Sequence, residues 1–301
     1  MALTILACAP SLLGFLGGLW WRFELLSHFR VQYAIVLAAV TIPFLVARRF
    51  RFAAVPGACA LINAALVIPL YFGPGDIVAD GPTLRVLSAN VLTGNESHDS
   101  VIRLVRDADA DVVFLMEVNE RWVSALEPLR AEYPHWHVRA REDNFGVAFL
   151  SRIPLTDVEI LTSPKGNVPF VEARLEAGGR PVTLIGLHTL PPVRRRYAAI
   201  RNEQMDEAAS RVRNAEGPVM VIGDLNTTSW SSPFDRFLRE TGLRDSRRGF
   251  GVQATWPAFN PVLRIPIDHC LVSPEIVVRR REVGPAVGSD HFPIVIEVAV
   301  R

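Results

Sequence analysis

The stretch of sequence that decides the fold is Val219-Met-Val-Ile-Gly-Asp-Leu-Asn-Thr-Thr-Ser-Trp-Ser-Ser-Pro-Phe234. It opens with four apolar residues, Val219–Ile222, a run that is typical of a buried strand. Gly223, Asp224 and Asn226 follow at once, and a helix is predicted from Pro233. Because strands carry the polar residues at their ends to the edge of a sheet, this stretch predicts a carboxylate and an amide side by side at such an edge.

Short apolar runs of the same kind recur on both sides of this strand, and polar helical stretches separate some of them. Each run is four to eight residues long, which suits buried strands. The other predicted strands are Leu84–Ala89, Val112–Met116, Gly146–Leu150, Val171–Leu175, Val182–Leu187, Ile267–Val272 and Ile294–Val298. The predicted helices are Asp99–Ala108, Glu120–Glu132, Arg195–Asn214 and Pro233–Thr241. Strands outnumber helices about two to one, which favours a mixed, two-sheet core with helices outside.

Polar residues stand at the ends of several of these strands. Asn90, Glu117 and His188 each follow a strand, as Asp224 does, and Asp-His pairs occur at 268–269 and 290–291. One such residue alone would be an ordinary turn residue. Several carboxylates close together repel one another and raise one another's pKa, so a cluster of them favours a bound cation. The chain offers oxygen ligands and has no Cys-x-x-Cys pair. This favours Mg²⁺ over zinc, with Mn²⁺ or Ca²⁺ as alternatives.

The polar segments also resemble a known family. Ser88-Ala-Asn90, Leu115-Met-Glu117, Gly186-Leu-His188, Gly223-Asp-Leu-Asn226, Ile267-Asp-His269 and Gly288-Ser-Asp-His291 are similar, in order and spacing, to the motifs of the endonuclease/exonuclease/phosphatase (DNase I-like) superfamily. The resemblance covers about Thr83 to Val298, and the run 223–234 is similar to a membrane-anchored bacterial subgroup. It implies an α/β (α+β) fold, a four-layer αββα sandwich of two mixed sheets flanked by helices, and divalent-metal-dependent phosphoester hydrolysis.

The resemblance also implies roles for individual residues. Glu117 holds the divalent ion, with Asn90 and Asp290 sharing the metal or its waters. Asp224 orients or deprotonates the attacking water, and Asn226 donates to a phosphate oxygen. The remaining roles concern the phosphoryl group: His291, oriented by Asp268, stabilises the transition state, and His188 contacts the phosphate or protonates the leaving oxygen.

Three further features have both a functional and a structural interpretation. Asn144, in Asn144-Phe145-Gly146, either reaches the substrate or forms a turn. His269 should point to the face opposite Asp268 and is interpreted as structural. The clusters Arg194–Arg196 and Arg279–Arg281 could contact phosphate or anionic lipid, although a solvated face is favoured for both.

The first quarter of the 301-residue chain has a different composition. No charged residue occurs in Met1–Trp21, Val31–Ala47 or Phe52–Gly75, and these lengths suit membrane-spanning helices. We therefore expect a membrane domain with three transmembrane helices at 1–80 and a catalytic domain at 81–301. The basic run Arg48–Arg51 should lie in the cytoplasm, which places the catalytic domain outside the cell membrane.

The charge of the two parts limits the possible substrates. From residue 76 onward the chain has 27 basic and 30 acidic residues, so nonspecific attraction to a polyanion is weak. Nuclease or phosphodiesterase activity is the leading prediction, and a phospholipid headgroup or a small phosphoester remains an alternative. A catalytically silent phosphate-binding membrane module is a third possibility, which the presence of Glu117, Asp224 and His291 disfavours. No Gly-x-Ser-x-Gly segment supports a serine hydrolase.

Overall fold

A computed structural model describes residues 2–73 and 83–301. The helices are α1 (Ala2–Leu13), α2 (Trp21–Ser27), α3 (Arg30–Val46), α4 (Phe50–Val67), α5 (His98–Ala108), α6 (Glu120–Leu126), α7 (Arg195–Asn214) and α8 (Ser232–Thr241). The strands are β1 (Thr83–Asn90), β2 (Val112–Met116), β3 (His135–Arg139), β4 (Val147–Ser151), β5 (Leu155–Thr162), β6 (Pro169–Ala177), β7 (Arg180–His188), β8 (Val219–Asp224), β9 (Arg244–Asp245), β10 (Asp268–Val272), β11 (Ile276–Val283) and β12 (Ile294–Val300).

The strands form two six-stranded mixed sheets. The first has the order β11-β12-β1-β2-β4-β3 and the second the order β5-β6-β7-β8-β10-β9. Each sheet contains one parallel pair, β1 with β2 and β7 with β8, among antiparallel neighbours. In both pairs the carboxyl ends of the strands therefore lie side by side at one edge.

Three apolar layers hold the sandwich together. The layer between the sheets includes Val86, Phe114 and Ile222, all of them fully buried. Helices α5 and α6 cover the outer face of the first sheet, where Trp122 is buried. Helices α7 and α8 cover the outer face of the second sheet with residues such as Phe234. The predicted arrangement of two mixed sheets between helices is confirmed.

All eight predicted strands form, but four further strands were not predicted. β3 and β5 are only partly buried, and neither shows the continuous apolar run on which the prediction depended. β9 has two residues, and β11 contains three consecutive arginines. The predicted helix Glu120–Glu132 is also too long, because α6 ends at Leu126 and a 3₁₀ turn with Pro128 near its start follows.

The apolar first quarter does not form the three predicted spans. The helix in the first run, α1, has 12 residues, too few to cross a bilayer. Gly14, Gly17 and Gly18 lie in the turns that follow it, and counting charged residues alone overlooked these helix breakers. The predicted boundary between residues 80 and 81 lies outside the described residues.

Among the described residues, one helix is long and apolar enough to cross a membrane, Phe50–Tyr71, with a mean hydropathy of 1.9 over its best window. Helices α2 and α3 meet the same criteria only as a pair, which is bent by 65°. α3 packs against α4, and Arg48 and Arg49 lie in the turn between them. This part of the chain therefore has one candidate span, and a second if α2 and α3 together form a single bent span.

Candidate active site

Three predicted site residues lie in register on neighbouring strands of the second sheet. His188 of β7 pairs with Asp224 of β8, and Asp224 pairs with Asp268 of β10. All three side chains are buried. Nε2 of His188 lies 3.7 Å from Oδ2 of Asp224. The pairing of the strands by itself brings two carboxylates and an imidazole to one sheet edge.

Gly223 makes this close arrangement possible. Its φ is +134°, and a Cβ at this position would lie 1.9 Å from the carbonyl oxygen of Leu187 on β7. No other amino acid fits this position without moving the backbone of β7 or β8. The glycine before Asp224 therefore sets the position of the carboxylate.

The first sheet contributes an amide and a further carboxylate. Nδ2 of Asn90, at the end of β1, donates to Oε1 of Glu117 at 2.9 Å, and the backbone N–H of Thr93 donates to Oε2 at 3.2 Å. Glu117 follows β2 in a left-handed conformation with φ +65°. Burial raises the pKa of Glu117, and the two donors oppose that rise.

The loop before β12 joins the two sheets. The hydroxyl of Ser289 donates to the carbonyl oxygen of Asn90 at 2.7 Å, and the N–H of His291 donates to the Ser289 hydroxyl at 3.1 Å. On the other side, Nδ1 of His291 donates to Oδ2 of Asp268 at 2.9 Å. This bond turns Nε2 of His291 toward Asp224, whose Oδ2 lies 3.7 Å away.

These contacts shift the pKa values of the buried groups. Burial raises the pKa of Asp224 to about 8, with Asp268 adding to the rise and His291 opposing it. Burial lowers the pKa of His291, but Asp268 and Asp224 together bring it to about 10. Burial and the nearby His291 lower the pKa of His188 to about 3. The site therefore combines a cationic His291 with a neutral His188.

Asn226 fixes Asp224 from the other side. Its backbone N–H donates to Oδ1 of Asp224 at 2.8 Å, and its Nδ2 donates to the carbonyl oxygen of Thr189 at 2.8 Å and to Oδ2 of Asp224 at 3.3 Å. A side-chain amide has two N–H donors, so both are engaged. The predicted donation to a phosphate oxygen would break one of these bonds, and in the structure Asn226 orients Asp224.

Asp290 has a free carboxylate oxygen. Nε1 of Trp256 donates to its Oδ2 at 3.0 Å, whereas the buried Oδ1 has no partner among the described residues. The negative charge of Asp290 adds to the rise in the pKa of Glu117. This orphaned oxygen, the Glu117 carboxylate and the Asn90 amide oxygen, which accepts one bond from the N–H of Leu92 at 3.1 Å, are the kind of oxygen ligands that a hard divalent cation takes. The predicted ligand residues Glu117, Asn90 and Asp290 therefore fit such an ion.

A second possible cation position lies at Asp224, Asp268 and His291, whose candidate ligand atoms are within 4.8 Å of one another. Here, however, Nδ1 of His291 already bonds to Asp268. The positive charge of His291 therefore already lies beside both carboxylates.

The sequence predicts either a substrate contact or a turn for Asn144, and a structural role for His269. Asn144 is exposed, has φ +67°, and makes no side-chain hydrogen bond within the described chain. Its neighbour Phe145 packs on His188 with ring centroids 5.1 Å apart, so the turn lies beside the site. His269 points away from the site, as expected, and its Nε2 bonds to the carbonyl oxygen of Thr227 at 2.8 Å.

The interpretation of Arg279–Arg281 as a solvated face is wrong for its last residue. Arg281 is buried and donates to Ser246, to Gln253 and, at 3.2 Å, to the backbone carbonyl oxygen of Asp268. The register shift between Val278 and Arg280 reverses the alternation along β11, so that Arg281 lies on the buried side and Arg280 does not. Arg279 and Arg280 are exposed, as are Arg194–Arg196.

Sequence reasoning also missed residues that support the site. The backbone N–H of Asp268 donates to the Thr255 hydroxyl at 3.4 Å, and Nε1 of Trp256 donates to Asp290. Both belong to a loop without apolar periodicity, and only the Thr-Trp-Pro segment before the Ile-Asp-His motif could have drawn attention to them.

Comparisons with known proteins identify the family and the fold of the chain. A model of the endonuclease/exonuclease/phosphatase family matches residues 87–291. A crystal structure of D. rerio TDP2 with a single-strand DNA product has a TM-score of 0.60 and 17% identity, covering 72% of this chain and 99% of that one. A Beutenbergia cavernae endonuclease/exonuclease/phosphatase has a TM-score of 0.59 and 18% identity, covering 73% and 72%. Beta toxin from Staphylococcus aureus has a TM-score of 0.56 and 22% identity, covering 72% and 100%. No curated protein matches the chain.

Proposed function

Because the chain belongs to the endonuclease/exonuclease/phosphatase family, and is therefore a hydrolase that acts on phosphoester bonds, we propose that it is a membrane-anchored, divalent-metal-dependent phosphodiesterase of the nuclease type. The observation that carries the proposal is the meeting of four carboxylates and two histidines where the two sheets join. Such a cluster of acids favours a bound cation, and the buried Oδ1 of Asp290 has no hydrogen-bond partner among the described residues.

Glu117, Asn90 and Asp290 are the proposed ligands of a divalent ion, with Mg²⁺ favoured and Mn²⁺ or Ca²⁺ as alternatives. When bound, the ion neutralises charge on the phosphoryl oxygens. The protein supplies the remaining chemistry. Asp224, held by Asn226, orients the attacking water and accepts its proton in its ionised form. Burial raises its pKa, so this form depends on the positive charges of His291, which lowers that pKa, and of the bound ion.

His291 supplies the positive charge opposite the reacting phosphoryl group. Its bond to Asp268 fixes the ring and keeps it protonated, so that Nε2–H can stabilise charge that develops in the transition state. His188 is neutral because burial lowers its pKa to about 3. It is therefore suited to donate a hydrogen bond to a phosphoryl oxygen, and unsuited to protonate the leaving group.

Membrane anchoring is supported by the apolar helix Phe50–Tyr71 and by α3 beside it. The turn with Arg48 and Arg49 lies at one end of this helix pair. The catalytic domain contacts the other end, where Leu70 accepts hydrogen bonds from Gly249 and Gly251. Basic residues favour the cytoplasmic side, so we propose that the catalytic domain lies outside the cell membrane.

A second candidate function, hydrolysis of a lipid headgroup, is favoured by a loop that adjoins the site. The tip loop, residues 257–264, is tied to the site where the N–H of Ala258 donates to the Asp290 carbonyl oxygen at 2.7 Å. Phe259 and Val262 of this loop are 78% and 71% exposed. Nε2 of Gln32, at the start of α3, donates to the Val262 carbonyl oxygen at 3.1 Å. The apolar side chains of the tip loop therefore lie next to both α3 and the catalytic residues.

The test is a substrate panel on the full-length chain in detergent micelles. The panel contains bis(p-nitrophenyl) phosphate, p-nitrophenyl phosphate, single-stranded DNA and phosphatidylglycerol vesicles, each with Mg²⁺ or with EDTA. Phosphodiester cleavage that requires Mg²⁺ and is lost in Asp224→Ala supports the proposal. Asp235→Ala, at an exposed position on α8, is the control. Cleavage that survives EDTA or Asp224→Ala would refute the mechanism, and preference for vesicles over DNA would select the lipid headgroup.

A further inference from the structure

The N-terminal helices contact the catalytic domain at the segment that directly follows Asp224. Nε1 of Trp230 donates to the Leu66 carbonyl oxygen of α4 at 3.1 Å. Nδ1 of His28 and the hydroxyl of Thr228 are hydrogen-bonded at 3.0 Å. These contacts connect residues more than 160 positions apart along the chain. We call the segment 225–232 the catalytic loop, because it contains Asn226 and continues from Asp224.

A buried ion pair stands at the centre of this contact. Nη2 of Arg201, on α7, lies 2.6 Å and 2.7 Å from the two carboxylate oxygens of Glu24, on α2. Both residues are almost completely buried. The hydroxyl of Thr227 bonds to the Ser231 hydroxyl at 2.6 Å and lies 3.4 Å from the Glu24 carboxylate. Glu24 therefore contacts both a helix of the catalytic domain and the catalytic loop.

Stability alone is a weak reason for such a pair. Desolvation of two buried charges offsets their attraction, and well-packed apolar residues of similar volume often replace a buried pair without loss of stability. A buried pair does fix relative positions more sharply than apolar packing, because its hydrogen bonds are directional. This contrast makes it possible to separate a positioning role from a structural one by experiment.

The positions that the pair fixes are those of the catalytic groups. Thr227 is the residue after Asn226, which has φ +47° and holds both oxygens of Asp224. A non-glycine residue in this conformation is kept there by its surroundings. One turn beyond Arg201, Oε1 of Gln204 accepts from the N–H of Leu190 at 2.9 Å. This bond supports the turn after His188.

We propose that Glu24 is a positioning residue for catalysis, so that the N-terminal helices complete the active site and are more than an anchor. Glu24 lies outside residues 87–291, the range that the family model matches. Through Arg201 and Thr227 it holds Asn226, and hence Asp224, in the reactive arrangement. The inference rests on the phosphodiester hydrolysis proposed above.

The test replaces the ion pair by an apolar pair in the full-length chain, Glu24→Leu with Arg201→Met. The control is Arg106→Met with Glu132→Leu, an exposed ion pair at 2.8 Å on the other face of the sandwich. For the test pair we expect a melting temperature within a few degrees of wild type and a KM for bis(p-nitrophenyl) phosphate within about twofold of wild type. We expect kcat to fall by at least about tenfold, because loss of supporting contacts typically has effects of this size. For the control pair we expect kcat and KM unchanged.

Hydrogen–deuterium exchange of the catalytic loop provides a readout that does not depend on activity. We expect faster exchange in residues 225–232 of the test pair and unchanged exchange in residues 101–108. A folded test pair with native kcat and native exchange would overturn the inference. If wild type shows no hydrolysis, the proposed function fails, and the exchange result alone decides whether Glu24 positions the loop.

A second pair of variants keeps the test decisive if the apolar pair does not fold. Thr227→Val removes the hydroxyl with little change of volume, and Thr227→Ser retains it. We expect a reduced kcat and faster loop exchange in Thr227→Val, with both restored in Thr227→Ser. Equal kcat and equal exchange in the two variants would overturn the inference.

Discussion

Replacement of Asp268 by asparagine should slow catalysis while leaving the fold intact. In the structure Asp268 accepts a 2.9 Å hydrogen bond from Nδ1 of His291, and both side chains are buried. Asparagine can still accept this bond, but its oxygen is neutral. A hydrogen bond that involves a charged group contributes about 1.5–3 kcal/mol, and a neutral one about 0.5–1.5 kcal/mol. The substitution therefore removes about 1–2 kcal/mol of support for cationic His291.

Because about 1.36 kcal/mol corresponds to a tenfold change in rate, kcat of Asp268→Asn should fall about 5- to 30-fold. KM should change little, because the charge on His291 matters most when negative charge develops in the transition state. The assay is release of p-nitrophenol from bis(p-nitrophenyl) phosphate by the full-length chain with Mg²⁺, with the melting temperature measured on the same preparation.

Asp111→Asn is the matched control. Asp111 also accepts a hydrogen bond through Oδ2, from the N–H of Arg85 at 2.7 Å, but it precedes β2 at the end of the sheet away from the site. Its kcat should stay within about twofold of wild type. If Asp268→Asn keeps kcat within twofold while its melting temperature is native, the proposed pairing of His291 and Asp268 in catalysis is wrong.

Three further predictions concern the metal, the backbone and the tip loop. Glu117→Gln should weaken Mg²⁺ activation at least about tenfold, measured as the Mg²⁺ concentration for half-maximal rate; an unchanged value would exclude Glu117 as a ligand. Gly223→Ala should destabilise the fold by more than about 3 kcal/mol, because its Cβ would collide with the Leu187 carbonyl oxygen, and native thermal unfolding would contradict this. Phe259→Ser with Val262→Ser should lower the rate on phosphatidylglycerol vesicles and leave the rate on bis(p-nitrophenyl) phosphate unchanged; equal effects on both substrates would count against a membrane role of the tip loop.

The part of the site that could be predicted from the sequence is the part that strand geometry determines. Asn90, Glu117, His188 and Asp224 each stand at or just after the end of a buried strand, and the parallel pairs bring those ends together. Apolar runs also located eight of the twelve strands, because burial on both faces leaves a continuous apolar signal.

Contacts between distant segments could not be predicted. The sequence does not show that Arg281 is buried behind Asp268 or that Trp256 holds Asp290, because both contacts depend on how loops pack. Nor does it show that Glu24 reaches Arg201 across 177 residues. The three-span prediction is wrong for a local reason: an uncharged run is not sufficient for a continuous helix, and Gly14, Gly17 and Gly18 interrupt the first run.

The most direct test of the account is the rate of bis(p-nitrophenyl) phosphate hydrolysis by the full-length chain as Mg²⁺ is removed with EDTA and then restored. We predict that the activity falls to the level of Asp224→Ala in EDTA and returns with Mg²⁺, because a cation at Glu117, Asn90 and Asp290 is needed beside the Asp224–His291 pair. Hydrolysis that continues unchanged in EDTA would contradict the central claim.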